Sequence, residues 1–245
     1  MNVIIVGGTS GIGLALARHY LNTGHNVVIC GRDLSKVPQE LITTSSLLMM
    51  KVDVSKPSDV LKFFDALSNQ SLDMLIYCAG KYFNERRWTL SLNEKKEMRA
   101  VNATGFRHCF DLAAHKMTIQ GHGHLVTVAS VAGLIHSSSP TLYSRLKSHM
   151  IIRGQTYAQR LSPYGIKVTV IVPGYINTKK LRDINGGDAS HKPFLLEESQ
   201  AIRRITVAIE KEKQLVIFPF RMKCLIRILN CFPSRFICKI LENRR

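Results

Sequence analysis

The chain has 245 residues, 45% hydrophobic and 21% charged, an ordinary globular composition with enough length for one large core. Its 34 lysines and arginines against 17 acidic residues leave a net charge of +17, which suits phosphate-bearing ligands or an anionic surface. No helix-turn-helix, RNA-binding aromatic motif or zinc finger accompanies that charge, so nucleic acid is not an expected partner.

The first predicted element is the β-branched run Val3-Ile4-Ile5-Val6. It leads through the turn Gly7-Gly8-Thr9-Ser10-Gly11-Ile12-Gly13 into a helical pattern carrying Leu14, Leu16, Ala17, Tyr20 and Leu21. A second strand follows at Val27–Cys30. Strand, glycine turn, helix and strand within about 30 residues make a βαβ unit. The alternation continues with strands at Leu47–Val52, Met74–Cys78, Leu125–Val128 and Lys167–Val172. Helices are predicted at Val60–Leu67, as one long stretch over 91–118, and over 141–161. Continuous β-branched runs suit strands buried on both faces of a parallel sheet. The expected fold is α/β, a Rossmann-type doubly wound sheet with helices on both faces. Residues 1–213 read as the catalytic domain, with 178–200 as a mobile substrate loop. Residues 214–245 read as a C-terminal strand and a basic amphipathic tail.

Two features carry chemistry. A glycine-rich turn between a strand and a helix lets backbone N–H groups approach a pyrophosphate at a helix N-terminus. Further on, Tyr143 and Lys147 lie four residues apart, thirteen and seventeen residues beyond Ser130. Helical spacing of four puts phenol and ammonium on one face, about 6 Å apart at the β-carbons. A neighbouring ammonium favours phenolate, so the tyrosine's pKa is expected to fall toward working pH. Such a phenol can pass a proton to or from an alcohol or ketone.

Together these motifs resemble the short-chain dehydrogenase/reductase family over about residues 1–180. Val6 stands where the family usually has threonine. The resemblance implies that Gly7, Thr9, Ser10, Gly11, Ile12 and Gly13 cradle a nicotinamide dinucleotide, and that Asp53 and Val54 meet its adenine. Tyr77-Cys78-Ala79-Gly80 is similar to the family's Asn-Asn-Ala-Gly segment with both asparagines replaced, leaving Ala79 and Gly80 to line the cofactor. Asn102, Ser130, Tyr143 and Lys147 match the catalytic tetrad, and Tyr143 and Lys147 also contact the cofactor. Pro173, Gly174 and Thr178 resemble the stretch that holds the nicotinamide amide. Gly31 takes the place of the acidic residue that binds a ribose 2′-hydroxyl. Arg32 takes the position that grips a 2′-phosphate, so NADP is expected rather than NAD. Asp33 either faces the ribose or neutralises Arg32. The implied reaction is hydride transfer between NADP(H) and a carbonyl or alcohol of a small, hydrophobic substrate, in a homodimer or homotetramer.

The six cysteines form no Cys-x-x-Cys pair and sit mostly among apolar residues, which reads as a reduced, cytoplasmic protein without a zinc site. His122 and His124 flank Gly123 and read as a loop rather than a metal site. His136 is expected to border the substrate pocket. The opening apolar run begins almost at Met1, unlike a signal peptide, and no apolar stretch is long enough to span a membrane. In the tail, Met222, Leu225, Ile226, Leu229 and Phe232, then Phe236, Ile237, Ile240 and Leu241 after Pro233, recur at helical spacing among the cations Arg221, Lys223, Arg227, Arg235, Lys239, Arg244 and Arg245. Such a broken helix either packs on protein or meets an anionic membrane surface. The alternatives to a general carbonyl reductase are a membrane-surface reductase of a lipid-linked ketone and a catalytically silent NADP-sensing regulator.

Overall fold

The computed structural model describes residues 1–242, and side chains as far as 240. Seven strands form one sheet: β1 (Asn2–Val6), β2 (Asn26–Gly31), β3 (Leu47–Lys51), β4 (Met74–Tyr77), β5 (Gly123–Val128), β6 (Ile166–Pro173) and β7 (Leu215–Phe218). Their order is β3-β2-β1-β4-β5-β6-β7, and every pairing is parallel. The β-branched runs explain this arrangement. Val3, Ile4, Ile5 and Val6 are all buried, as strands covered on both faces must be.

The helices are α1 (Gly11–Asn22), α2 (Gln39–Ile42), α3 (Pro57–Ala66), α4 (Leu92–Arg99), α5 (Phe106–Gln120), α6 (Leu142–Leu161), α7 (Lys179–Ile184), α8 (Glu198–Glu210), α9 (Phe220–Asn230) and α10 (Ser234–Glu242). They divide between the two faces of the sheet. Phe63 of α3, Phe106 and Phe110 of α5, Met150 of α6 and Met222 of α9 fill one core. Leu16 and Tyr20 of α1, with Ile202, Ile205 and Ile209 of α8, fill the other.

Three expectations are corrected. The long helix over 91–118 is two helices joined by a π-helical turn at 100–105. The widened turn presents its Val101 carbonyl to the Tyr77 hydroxyl, which donates a buried hydrogen bond of 2.6 Å. A tyrosine thus ties β4 to this turn where the family segment carries an asparagine. Residues 178–200 are not simply a mobile loop. They contain α7, Leu196, which bridges to Ile176 before the segment, and Ala189, only 1% exposed. Finally, the tail's apolar stripe divides. Met222, Ile226 and Ile237 are buried, whereas Phe232 and Phe236 are 46% and 47% exposed and pack on each other at 5.3 Å between ring centres. Pro233 breaks the helix between them. Leu241, Arg244 and Arg245, counted in the tail's pattern, lie outside the described side chains. Among the described residues, no helix is long and apolar enough to cross a membrane.

Replacing Tyr77 by phenylalanine removes the buried hydroxyl bond to the Val101 carbonyl. Tyr77→Phe should lower unfolding free energy by about 1–3 kcal/mol. Urea denaturation reads this directly, and an unchanged midpoint would show that the bond is not needed.

Candidate active site

In an all-parallel sheet of this order the chain runs to opposite sides from β1 and β4, and a crevice opens between their C-terminal ends. The residues after each strand meet there: Gly7 after β1, Arg32 after β2, Asp53 after β3, Gly80 after β4, Ser130 after β5 and Gly174 after β6. They line one cleft of about 2720 Å³. Of the residues expected from sequence to bind cofactor or to border the substrate, all line this cleft except Asn102, which is fully buried behind it, and His136.

At one end the backbone forms a cradle. Gly7 has φ +79°, and a β-carbon there would stand 2.6 Å from the Ala79 nitrogen. A β-carbon at Gly13 would stand 2.2 Å from the Gly7 carbonyl oxygen, so the absence of side chains lets α1 start directly against β1. Ser10 caps α1 with no side-chain bond to the helix, and the first turn holds no acidic residue. Its N–H groups therefore present an uncancelled positive end to the cleft. Thr9 is buried, and a β-carbon at Gly31 would sit 2.6 Å from its Oγ1. Arg32 is held by Glu97 at 3.0 Å, and Lys81 reaches the same carboxylate at 2.8 Å. Asp33 turns away to Ser35 and Lys36 and does not neutralise Arg32. The Asp53 carboxylate accepts from the Ser55 backbone and hydroxyl, with Val54 beside it in the wall.

The other end holds the titratable groups. Thr141 caps α6, accepting from the Ser144 nitrogen, and the helix carries Tyr143 and Lys147 into the cleft one turn apart. A 3-10 turn at 131–134 begins at Ser130. Its Gly133 lies so close to α6 that a β-carbon would stand 2.5 Å from the Ser148 nitrogen, which sets Ser130 beside Tyr143. The Lys147 ammonium is 4% exposed, donates to the Val128 carbonyl at 3.3 Å, and lies 5.8 Å from the Tyr143 ring centre. Asn102 donates to the Lys81 and Met98 carbonyls from Nδ2, while its Oδ1 has no partner. A β-carbon at Gly80 would lie 3.5 Å from that oxygen and 3.7 Å from the Lys147 Nζ. The orphaned acceptor and the ammonium thus face one small gap.

The expected fall of the tyrosine's pKa is not what the structure shows. Burial pushes the Tyr143 phenol up to about 12, opposed by its Ser130 partner and supported by Tyr82 and Tyr175. The lysine cannot reverse this, because burial and the nearby Lys180 push it down to about 7. In a poorly solvated site both groups favour their uncharged forms.

Sequence reasoning missed several residues here. Tyr82 packs edge-on against Tyr143 at 4.9 Å between ring centres. The Lys180 ammonium donates to the Gly80 carbonyl at 3.0 Å. Two residues earlier, Thr178 caps α7 through the Leu181 nitrogen. Met222, Leu225, Ile226 and Leu229 of α9 line the cleft beyond Tyr143. Phe220, Ile228, Phe232 and Phe236 are exposed on the same C-terminal segment, among exposed Arg221, Arg227 and Arg235. The three histidines singled out from sequence lie elsewhere. His122 contacts Asp73, His124 pairs with Thr169 at the far end of β5, and His136 is exposed outside the cleft while Ile135 and Ser137 line it.

Residues 1–188 match the family model for short chain dehydrogenase. The chain belongs to the short-chain dehydrogenase family. It is 29% identical over 179 residues to an uncharacterized oxidoreductase of Staphylococcus aureus (strain MRSA252), covering 71% of this chain and 78% of that one. It is 28% identical over 183 residues to D-beta-hydroxybutyrate dehydrogenase of Rhizobium meliloti, covering 71% of each. Among solved structures, a short-chain dehydrogenase from Sphingobium yanoikuyae in complex with NADPH superposes with a TM-score of 0.80 at 21% identity, covering 94% of this chain and 92% of the other.

The depressed lysine has a thermodynamic signature. Its folded value of about 7 lies below the ordinary 10.5, so the unfolded chain binds more protons between those limits and stability rises with pH across them. Lys147→Met removes this dependence. The variant should gain most over the parent at neutral pH, and the gain should vanish near the ordinary lysine value. Urea unfolding at several pH values tests this; a difference independent of pH would contradict it.

Proposed function

We propose that this member of the short-chain dehydrogenase family is an NADP-dependent oxidoreductase that interconverts a ketone and an alcohol on a small hydrophobic substrate. The convergence of Ser130, Tyr143, Lys147 and Asn102 at the end of the cleft opposite the glycine cradle carries this reading. The cleft fits a dinucleotide: Gly7 and Gly13 admit close approach, the α1 N-terminus faces the space, and the orphaned Asn102 oxygen lies at the far end beside Gly80 and Lys147. Tyr143, Lys147 and Thr178 would hold the nicotinamide half, with Pro173 and Gly174 along its wall. Asp53 and Val54 would meet the adenine. Bound there, the nicotinamide supplies or accepts the hydride.

The residues supply the proton. A phenol raised to about 12 is protonated at neutral pH, so Tyr143 holds the proton that a ketone oxygen takes up as it becomes an alcohol. The Ser130 hydroxyl orients and polarises that oxygen. Lys147, near 7, both accepts and donates protons close to neutrality and restores the phenol. The gap between Lys147, Gly80 and the free Asn102 oxygen would give the replacement proton a route in during ketone reduction, and a route out during alcohol oxidation.

For the cofactor, Gly31 leaves no carboxylate beside the adenosine ribose, and Arg32 stands at the end of β2 where a 2′-phosphate would lie. Glu97 limits its motion rather than removing its charge. The NADPH complex of the Sphingobium protein supports the same choice. For the substrate, Phe83, Ile135, Leu225 and Leu229 make the cleft apolar beyond the tyrosine. The hydroxyl-bearing substrate named for the Rhizobium relative is of the required reaction class.

Oxidation of NADPH with a series of ketones, followed by the absorbance of the reduced cofactor, tests the activity. It also separates an enzyme from a silent sensor, which would bind NADPH without consuming it. Tyr143→Phe should lower turnover by about 10²–10⁴-fold with NADPH affinity unchanged; retained turnover removes the tyrosine's role. Arg32→Ala should weaken NADPH by roughly tenfold or more and leave NADH alone, and equal loss for both would overturn the NADP assignment.

A membrane-surface form of the same activity is favoured by one observation. The segment that lines the cleft with Met222 and Leu225 also exposes Phe220, Ile228, Phe232 and Phe236 beside Arg221, Arg227 and Arg235, the composition of an interfacial helix on anionic lipid. The intact chain should float with vesicles containing phosphatidylserine, and a Phe232→Ser, Phe236→Ser chain should not. Failure of the intact chain to float rules this form out.

A further inference from the structure

The mechanism leaves one cleft-lining ammonium without a task. Lys180 is the second residue of α7, and its Nζ donates to the Gly80 carbonyl at 3.0 Å. The side chain therefore crosses the cleft, from the segment after β6 to the segment after β4. Gly80 stands midway along the cleft. On one side of it lies the gap shared with Lys147 and Asn102; on the other lies the ion group of Arg32, Lys81 and Glu97.

The electrostatics of this position are unfavourable as it stands. An ammonium has three donors, and one backbone carbonyl is the acceptor described for Lys180. Its charged neighbours are cations. Burial lowers its pKa first, followed by the charges of Lys81 and Arg32, and Lys180 in turn lowers Lys147. Glu97 is the carboxylate in this group, and Arg32 and Lys81 already hold it. Three cations, Arg32, Lys81 and Lys180, share one carboxylate in a cleft that also holds the open N-terminus of α1, a setting that calls for an anion with several oxygens.

We infer that Lys180 is a ligand of the dinucleotide's diphosphate, carried across the cleft by α7 to close on it from the side opposite the α1 N-terminus. The assignment rests on the dinucleotide reading proposed above. A dinucleotide lying with its nicotinamide at Tyr143 and its adenosine at Arg32 places its diphosphate at mid-cleft, where Gly80 and Lys180 meet. The same contact couples binding to chemistry. Negative charge at Lys180 relieves the repulsion on Lys147, whose other charged or titratable neighbours are Tyr143 on α6 and Cys78 after β4. Binding should therefore draw a proton onto the lysines.

The test is titration of the full chain with NADPH and, separately, NADH, followed by fluorescence. Lys180→Gln keeps a donor for the Gly80 carbonyl and removes the charge. It should raise Kd for both dinucleotides by about tenfold or more, and Lys180→Arg should recover much of the loss. Calorimetry in two buffers of different ionisation heat should show proton uptake on NADPH binding by the parent near neutral pH, and reduced uptake by Lys180→Gln. A role limited to tying α7 to Gly80 would move neither readout. Lys180→Met gives the same comparison should the glutamine variant fold poorly. Unchanged Kd values in a parent that binds both dinucleotides overturn the assignment. So does a loss confined to NADPH, which would place the ammonium on the 2′-phosphate. A parent that binds neither dinucleotide defeats the proposed function itself.

Discussion

The burial of the Lys147 ammonium beside Tyr143 is the constraint around which the cleft is built. A charge so placed is unfavourable unless the surroundings hold it, and here they do so by packing. Gly133 lets the turn after β5 press against α6, the Val128 carbonyl accepts from the ammonium, and the Met150 side chain fills the core beneath. The same poor solvation acts on both partners in opposite directions. It raises the phenol and lowers the amine, so the proton stays on the oxygen and the lysine hovers between its two states. The pair is a proton reservoir rather than a permanently charged couple.

The sheet makes that reservoir useful. Parallel strands deliver all their C-terminal ends to one edge, and the reversal of direction between β1 and β4 opens space there. Glycine turn, basic strand end, π-helical turn and the helix of Tyr143 and Lys147 then meet without any of them being close in sequence. The π-helical turn has its own part in this. Its extra backbone residue sets Asn102 behind the cleft with both amide hydrogens engaged and its oxygen free. Local irregularity of this kind is common where function sits.

Much of this was legible in the sequence, because the strands are continuous β-branched runs and the glycine turn has a mechanical reason for each small residue. Ser130, Tyr143 and Lys147 were legible as a set. What escaped had no periodic signature. Hydrophobic spacing cannot distinguish a helix of 3.6 residues per turn from one locally wider, so 91–118 read as continuous. Ala201, Ile202, Ile205 and Ile209 carry α8, but the polar residues before them masked where the loop ended. Glu97 and Lys180 look like solvated charges in sequence, and only folding brings them to the cleft. The sign of the tyrosine's shift escaped for a related reason: sequence shows which charge is near, not how little water surrounds it.

The contact between Gly31 and Thr9 bears on how this chain could change. A side chain at position 31 would collide with the threonine hydroxyl, 2.6 Å from where its first carbon must go, and Thr9 is itself enclosed by the cradle. Switching to a ribose-gripping carboxylate is therefore not a one-step exchange at the rim. A smaller residue at position 9 would have to arise first, loosening the very turn that seats the helix. Under the NADP reading proposed above, drift toward NAD is gated by the order of two substitutions, and the first brings no binding advantage of its own.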